Sequence, residues 1–334
     1  MEPLLRVENL RTWFRSSAGP IRAVDGVDFE LATGQTLGIV GESGSGKSVT
    51  ALSIMRLIQK PGEIQSDSKI LFEGRDLVGL TERQMEKVRG DEISMIFQEP
   101  MTSLNPVYTI GEQIAEAVRI HRGVGRDAAL ERAREMLELV GIPEVKRRLK
   151  DYPHQLSGGM RQRVMIAIAL ACDPKLIIAD EPTTALDVTI QAQILELMIE
   201  VRERLGMSIL LITHDLGVVA EMCDEVVVMY AGRVVERGPV ADVFTSPQHP
   251  YTEALLQSIP LLGMTQAEPL RVIRGIVPSP LHWPEGCRFA PRCDNAFDHC
   301  NEQPPLFEVE DGRHAACWLC EKGARATKKA QAPV

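Results

Sequence analysis

The sequence predicts an α/β fold built around a parallel sheet, and three observations support this prediction. Short apolar segments of the kind that form buried parallel strands occur at residues 37–40, 176–179 and 208–213. Apolar residues at helical spacing fill residues 190–205, between the second and third of these strands. The last two strands end in polar residues, at the sheet edge where open α/β folds bind their ligands. We therefore expect the functional site at the carboxyl ends of these strands.

The chain before and after the first of these strands predicts two further features. Residues 4–14 and 21–31 have the composition of strands and are separated by a Ser, Gly and Pro turn at residues 16–20. The strand at 37–40 leads through a glycine-rich loop into a helix, which we expect to run from residue 47 to about residue 59. The first part is therefore an antiparallel edge subdomain, and the second is a strand, loop and helix unit.

The middle of the chain predicts an inserted helical subdomain. Apolar residues between 106 and 155 recur every three or four positions, and we place this subdomain at about residues 100–165. A hairpin turn at residues 230–233 and a helix at 250–258 complete a main domain that covers residues 1–258.

The end of the chain has a different composition. Beyond Pro260, proline, cysteine and irregular spacing replace the aliphatic periodicity. This change predicts a small irregular domain at residues 259–322 and a flexible tail at 323–334. Most of the 7 cysteines lie in this small domain. In a reducing compartment such clustering favours metal or cofactor ligation over disulfides.

Composition and charge exclude some classes of protein. The chain has 334 residues, with 37 Lys+Arg against 46 Asp+Glu and a net charge of -9. Nucleic acid is a poor partner, because neutralising phosphates needs clustered positive charge. The N-terminus lacks the features of a secretory signal, and the longest apolar run, residues 164–172, is shorter than the roughly 20 residues that span a bilayer. We expect a cytosolic protein that reaches a membrane only through partners.

The most specific motif follows the strand at 37–40. Residues 41–48, GESGSGKS, match the pattern G-x-x-x-x-G-K-S between a strand and a helix. Its backbone N–H groups would donate hydrogen bonds to the phosphates of a nucleotide. The lysine would neutralise the charge of the two outer phosphates, and the serine would hold Mg²⁺. The residues predicted to bind nucleotide are Gly41, Ser43, Gly44, Gly46, Lys47, Ser48 and Val49. A glycine-rich turn without a ligand is the alternative, and the flanking strand and helix argue against it. The fold class is therefore α/β, with a P-loop NTPase core sheet.

Two acids follow the strand at 176–179. Asp180 is placed to anchor Mg²⁺, and Glu181 to polarise the attacking water as a general base. Glu181 favours hydrolysis, because a protein that only binds nucleotide needs the first acid alone. The alternative is that both acids cap a helix that begins after Pro182. His214, after the next strand, is placed to contact the terminal phosphate, although a strand-end histidine by itself is more often structural.

A second anion site is predicted before a helix that begins near Met160. Residues 156–163, LSGGMRQR, place small residues and a serine hydroxyl at the exposed N–H groups of the helix start. Because the chain already has one phosphate loop, this second site needs a separate explanation.

These motifs together resemble those of the ATP-binding-cassette (ABC) family. Residues 156–163 resemble the signature motif, Gln98 the Q-loop glutamine, residues 185–187 the D-loop and His214 the switch histidine, all in the order found in that family. The resemblance covers residues 1 to about 258.

The resemblance implies roles for individual residues. Ser157, Gly158 and Gly159 would bind the γ-phosphate of a nucleotide held by a second ATPase subunit, in a head-to-tail pair that ATP closes and hydrolysis reopens. Phe14 resembles the aromatic residue that stacks on adenine, although a strand-end Phe is as often part of the core. The implied Mg²⁺ ligands are Ser48, Gln98 and Asp180. The implied catalytic residues are Glu181, His214, Lys47 and Gln98.

Three more segments narrow the resemblance. Residues 97–106, 152–155 and 246–252 resemble the ATPase subunits of bacterial dipeptide and oligopeptide importers, most closely the first of the two ATPases of dipeptide permeases. This resemblance implies ATP-driven peptide uptake by a heterodimer with a second, different ATPase. Two membrane-spanning permease subunits and an external peptide-binding protein complete such a system. The chain would lie at the cytoplasmic face of the inner membrane. Some similar importers move nickel or other small solutes, so the substrate stays open.

The C-terminal cysteines supply a candidate metal site. Four thiolates are enough to close a tetrahedral site, and their spacing alone does not separate an iron–sulfur cluster from zinc or from free thiols. The four cysteines are Cys287, Cys293, Cys300 and Cys317. The importer resemblance implies a [4Fe–4S] cluster, which we expect to be structural. Cys320 is a spare ligand, and Cys172 and Cys223 lie in apolar runs typical of a core.

Two functions from other classes compete with the importer. Soluble ABC ATPases of translation or DNA repair usually carry two cassettes or a coiled-coil insertion, whereas this chain has one set of motifs and no heptads. A regulatory nucleotide-binding module without turnover would not need Lys47, Glu181 and His214 together.

Overall fold

A computed structural model describes residues 2–98, 103–184, 186–258, 272–310 and 312–321. The predicted tail at 323–334 and the beginning of the predicted C-terminal domain lie outside the described residues. Contacts divide the chain into two compact units that interleave along the sequence. The first unit consists mainly of residues 79–212, and the second consists of residues 5–30, 37–78 and those from 213 onwards.

The strands and helices alternate along much of the chain, as the sequence predicts. The strands are β1 (Leu5–Ser16), β2 (Gly19–Leu31), β3 (Thr36–Val40), β4 (Gly62–Ile64), β5 (Lys69–Phe72), β6 (Arg75–Asp76), β7 (Ile93–Ile96), β8 (Leu176–Asp180), β9 (Ser208–Ile212), β10 (Glu225–Tyr230), β11 (Arg233–Pro239), β12 (Phe307–Glu310) and β13 (Arg313–Ala315). The helices are α1 (Lys47–Ile54), α2 (Glu82–Val88), α3 (Ile110–Arg122), α4 (Arg126–Leu139), α5 (Val145–Arg148), α6 (Gly158–Leu170), α7 (Val188–Leu205), α8 (Leu216–Met222), α9 (Val240–Thr245) and α10 (Pro250–Gln257).

The first unit contains the parallel strands β7, β8 and β9 in that spatial order, and the last two are wholly buried. Burial on both faces explains why their sequences are continuous apolar runs. The predicted helical subdomain is confirmed as three helices in contact, since α3 packs on α4 and α6 packs on both. Thr109 caps α3 by accepting from the N–H of Glu112, and Gly123 ends it in the left-handed conformation.

The second unit contains an antiparallel sheet with the strand order β2–β1–β5–β6, and β4 also pairs with β1. The predicted hairpin at the start of the chain is therefore confirmed. β4, β5 and β6 were not predicted from the sequence, because strands of 2 to 4 residues give little periodicity to detect.

The second unit also contains mixed strands that carry the C-terminal region. β10 runs parallel to β3 and antiparallel to β11, which confirms the predicted hairpin. β13 pairs with β11, and β12 pairs with β13, so the irregular end of the chain adds two strands to this sheet. Phe289 from the same region packs on Tyr230 and Tyr251, with ring centroids 5.2 and 5.4 Å away. The C-terminal region thus shares the core of this unit.

Three predicted helix boundaries were wrong. α1 ends at Ile54 and not near residue 59, because Arg56 adopts a left-handed φ of 51° that a helix does not continue through. α6 begins at Gly158, two residues before the predicted start, because Ser157 caps it. α7 begins at Val188 because Asp187 caps it. Within the described ranges we find no helix whose length and hydropathy would let it span a bilayer.

Candidate nucleotide-binding site

The phosphate loop lies in the second unit, between β3 and α1. Gly41 and Gly46 have φ values of 152° and 100°. A Cβ on Gly41 would lie 2.1 Å from the carbonyl oxygen of Met229, and one on Gly46 would lie 2.5 Å from that of Ala23. Only glycine fits at these two positions, because the backbone conformation is unfavourable for other residues and neighbouring backbone fills the space.

The lysine of this loop is folded back over it. The ammonium of Lys47 donates to the carbonyl oxygens of Gly41 at 2.7 Å and of Glu42 at 3.2 Å, and the residue is only 6% exposed. A buried ammonium near its own loop is well placed for an anionic ligand, because hydrogen bonds between charged partners are stronger than those to neutral carbonyls. Ser48 and Val49 follow in the first turn of α1.

The paired carboxylates lie in the first unit, at the end of β8. Asp180 is the last, buried residue of the strand. Glu181 follows with a φ of 47°, and its N–H donates to the carbonyl of Ile212 at 2.8 Å. A left-handed glutamate is uncommon and marks a conformation that its surroundings impose.

The structure brings Gln98 and Glu181 together, although 83 positions separate them. The amide of Gln98 donates to Oε2 of Glu181 at 3.0 Å, and the hydroxyl of Thr184 donates to the same oxygen at 2.9 Å. Gln98 reaches this position because β7 runs parallel to β8, so that both strands end at the same edge. Two donors on one oxygen fix the orientation of the carboxylate, as a general base requires.

The predicted signature residues begin α6 in the first unit. The hydroxyl of Ser157 caps the helix by accepting from the N–H of Met160 at 3.3 Å. A Cβ on Gly159 would lie 2.7 Å from Cγ2 of Ile190, in the first turn of α7, whereas one on Gly158 would lie 3.8 Å from Cδ2 of Leu186. The close approach of α7 therefore leaves no space for a side chain at Gly159, whereas there is more space at Gly158. Of the predicted D-loop, Ala185 lies outside the described residues.

His214 and Phe14 lie in the second unit. His214 is exposed and is followed by Asp215, whose carboxylate caps α8 by accepting from the N–H of Gly217 at 2.9 Å. Phe14 lies in β1 opposite Gly62, and a Cβ on that glycine would lie 2.6 Å from its ring. The ring thus packs on the backbone of β4, and its role with adenine stays a prediction.

The contacts of Glu42, a variable position in the loop motif, were not predicted from the sequence. The N–H of Glu42 donates to the hydroxyl of Tyr251 at 2.8 Å. Its carboxylate accepts from Arg292 at 2.6 and 3.1 Å. No local pattern could have revealed these contacts, because 250 positions separate the arginine from the loop.

The four predicted cluster cysteines line one small pocket in the second unit, together with Trp318. Burial raises the pKa of Cys287 and raises that of Cys293 to about 11. Burial therefore favours the neutral form of these thiols when no metal ion is bound. Within the described part of the chain, no three His, Cys, Asp or Glu side chains are grouped so as to hold a metal ion. The structure thus brings the four cysteines to one pocket, and a metal cluster there stays a prediction.

A glycine loop between strand and helix, with its buried lysine, and an Asp–Glu pair after a buried strand define the P-loop nucleotide hydrolases. Two family models match the chain: "ABC transporter" over residues 24–184 and "Oligopeptide/dipeptide transporter, C-terminal region" over residues 235–300. The second match covers part of the cysteine-containing region.

Relatives match over nearly the whole chain. It is 56% identical over 323 residues to the oligopeptide transport ATP-binding protein AppD of Bacillus subtilis, covering 96% of this chain and 98% of AppD. It is also 56% identical over 316 residues to the probable peptide ABC transporter ATP-binding protein y4tR of Sinorhizobium fredii, covering 94% of each. The chain therefore belongs to the ABC transporter family, as an ATPase of its oligopeptide/dipeptide transporter branch.

Solved structures agree with this assignment of the fold. The dimeric structure of the ATP-binding cassette MJ0796 in a post-hydrolysis state bound to ADP and Pi has a TM-score of 0.64 and 28% identity, covering 71% of this chain and 98% of that one. CbiO1 of Clostridium perfringens, part of the ABC transporter complex CbiONQ, has a TM-score of 0.63 and 28% identity, covering 74% and 92%. The α/β P-loop fold predicted from the sequence is confirmed.

Proposed function

We propose that this chain is the ATP-hydrolysing subunit of an importer that takes up dipeptides or oligopeptides. One observation carries the proposal: the chain matches, almost end to end, relatives named for oligopeptide and peptide transport. It also contains the C-terminal region that distinguishes this branch from a bare ABC cassette. An importer motor for nickel or another small solute is the nearest alternative.

In this proposal the phosphate loop binds ATP. Residues 41–49 bind the phosphates through backbone N–H groups, and Lys47 neutralises the charge on the outer two. Ser48, Gln98 and Asp180 would hold Mg²⁺, and their hard oxygen donors suit that ion. When bound, Mg²⁺ neutralises the charge that develops on the transferred phosphoryl group.

In this proposal Glu181 and the residues around it carry out hydrolysis. Glu181 takes a proton from water, whose oxygen attacks the γ-phosphorus as the bond to the ADP oxygen breaks. Gln98 and Thr184 support this role because they hold one oxygen of the carboxylate in place. His214 contacts the γ-phosphate and fixes the water.

The signature residues act on a second ATPase chain in this proposal. Ser157, Gly158 and Gly159 bind the γ-phosphate of a nucleotide held by a different ATPase subunit, so that the working unit is a heterodimer. A dimeric structure solved for the related cassette MJ0796 supports the pairing of two cassettes. The pair lies under two permease subunits at the cytoplasmic face of the inner membrane, and an external binding protein delivers the peptide.

The role of Glu181 in hydrolysis is tested by Glu181→Gln, which keeps the shape of the side chain and removes the base. We expect ATP to bind as in the wild type and turnover to fall at least about 100-fold, the size of a typical general-base contribution. Glu196→Gln is the matched control, because Glu196 is an exposed glutamate of α7. Unchanged turnover in Glu181→Gln would remove Glu181 from the base role.

The substrate is tested on the membrane complex purified with this chain. We expect permease subunits, a second ATPase and bound peptide, identified by mass spectrometry. Bound nickel would reject the peptide proposal and keep the importer, whereas copurification with ribosomes or DNA in place of permeases would reject the importer.

A structural [4Fe–4S] cluster at the four pocket cysteines is a further part of the proposal. Its support is that all four line one pocket. A cluster is larger than a single zinc ion, so its thiolates need not converge on one point. Iron and acid-labile sulfide in anaerobically purified protein would support the cluster, and zinc without sulfide would reject it.

A further inference from the structure

Three buried arginines join the C-terminal region to acids of the preceding nucleotide-binding part of the second unit. Arg288 pairs with Asp25, Arg292 with Glu42 and Arg313 with Glu236. The arginine side chains are only 6%, 4% and 2% exposed. Charged groups are seldom buried unless they are paired, so each pair is a specific feature of the fold.

Among these three pairs, that of Arg292 alone has its acid in the phosphate loop. Its two terminal nitrogens donate to the two carboxylate oxygens of Glu42 at 2.6 and 3.1 Å. Such a bidentate pair fixes both the position and the orientation of the Glu42 carboxylate, which a single point charge such as an ammonium does not.

The guanidinium is itself held on its other sides. Its Nε donates to the carbonyl of Arg274 at 2.9 Å, and one terminal nitrogen contacts the hydroxyl of Tyr230 at 3.3 Å. The group also lies 5.7 Å from the centre of the Tyr230 ring. Arg292 is thus a rigid support for Glu42.

The backbone of Glu42 continues the contact into the loop. Its N–H donates to the buried Tyr251 hydroxyl at 2.8 Å. Its carbonyl accepts from the ammonium of Lys47 at 3.2 Å and from the N–H of Ser45 at 3.2 Å. A shift of Glu42 would therefore move a group that orients the phosphate-binding lysine.

We propose that Arg292 is a positioning residue for nucleotide binding, through which the C-terminal region holds the phosphate loop in its binding conformation. This inference rests on the proposed function of the loop in binding ATP. A loop that spends only part of its time in the binding conformation has an affinity reduced by that fraction. Arg292 raises the affinity by keeping the loop in that conformation without touching the nucleotide.

The test is a double-mutant cycle with two variants. Arg292→Lys keeps the positive charge and loses the paired hydrogen bonds of the guanidinium, and Glu42→Gln keeps the shape of the side chain and loses its charge. Affinity for Mg-ATP is measured by calorimetry. We expect each single variant to raise Kd about tenfold, within the usual range for coupled sites, and the double variant to raise it little further. In steady-state assays with the partner ATPase present, Arg292→Lys should raise KM while kcat is retained.

Two results would overturn the inference. One is a Kd within about twofold of the wild type in both single variants. The other is a fold-increase in Kd of the double variant that equals the product of the fold-increases in the two single variants. Glu42→Gln preserves the test if Arg292→Lys does not fold. If the wild type binds no ATP, the proposed function itself falls, whereas normal wild-type binding with unaffected variants rejects only the role of Arg292.

Arg313→Lys is the matched control, because it changes another buried arginine of the same region whose partner, Glu236, lies in β11. We expect it to lower the thermal midpoint and leave the Kd for Mg-ATP unchanged. Equal loss of affinity in Arg313→Lys and Arg292→Lys would mean general loosening of the region, and would overturn the positioning role.

Discussion

Two regions of the second unit acquire their structures in different ways. The phosphate loop depends largely on residues close in sequence, since Lys47 turns back onto the carbonyl of Gly41, six positions earlier. The C-terminal region depends on distant pairs, since 263 positions separate Arg288 from Asp25. Local determinants leave a pattern in the sequence, whereas a distant ion pair leaves none.

The difference also bears on what each region contributes. The loop supplies the groups that meet the nucleotide, and the C-terminal region supplies buried charges that hold its surroundings. Arg288 pairs with Asp25 and also donates to the carbonyl of Ala231, next to a turn that lies against the loop. The C-terminal region is therefore part of the structure that supports the loop.

The largest effect on stability is expected when a distant pair is broken. Asp25→Asn leaves Arg288 and Arg233 without their shared carboxylate, and losing one partner of a buried pair costs about 3–5 kcal/mol. Urea unfolding measures this cost. Asp67→Asn is the control, because Asp67 pairs with Arg11 at the surface and should cost at most about 1 kcal/mol. Equal costs would contradict the importance given to burial.

The same pair should make stability depend on pH. Burial acts to raise the pKa of Asp25, but Arg288 and Arg233 outweigh it and hold the pKa below its ordinary value of 3.8. Because the folded pKa is below the unfolded one, the stabilisation is present above the unfolded pKa and is lost as pH falls through the folded pKa. The gap in unfolding free energy between wild type and Asp25→Asn should narrow on acidification below 3.8, and a constant gap would contradict this cause.

A smaller effect is expected when a local determinant is removed. Asp187 caps α7 in the first unit by accepting from the N–H of Ile190 at 2.9 Å. Asp187→Ala should reduce the free energy of unfolding by about 1 kcal/mol, the usual value of an N-cap. A loss as large as that of Asp25→Asn, measured in the same urea series, would contradict the contrast between local and distant determinants.

The same contrast explains how much the sequence could predict. The strands β3, β8 and β9 and the loop from Gly41 to Ser48 were predictable because burial and phosphate binding impose short-range patterns. The acids Asp180 and Glu181 were predictable from their place after an apolar strand. Gln98 was identified only by family resemblance, and its contact with Glu181 was not predicted, because it depends on the parallel pairing of β7 with β8.

The C-terminal region was the least predictable part. Its cysteines were visible, but β12 and β13 are short, and β13 forms by pairing with β11, which is far away in sequence, while β12 pairs with β13. The roles of Arg288, Arg292 and Arg313 depend on acids that precede them by 77 to 263 positions. Arginines in an irregular segment look like ordinary surface residues until their partners are known.

The proposed mechanism makes hydrolysis depend on a second ATPase chain, because Ser157 serves a nucleotide bound elsewhere. The most direct test is ATP turnover by the isolated chain at concentrations where sedimentation shows a monomer, compared with turnover after addition of the partner ATPase. We expect background turnover by the monomer and a rise with the partner that Ser157→Ala reduces. Full turnover by the monomer, equal in the wild type and in Ser157→Ala, would contradict the mechanism.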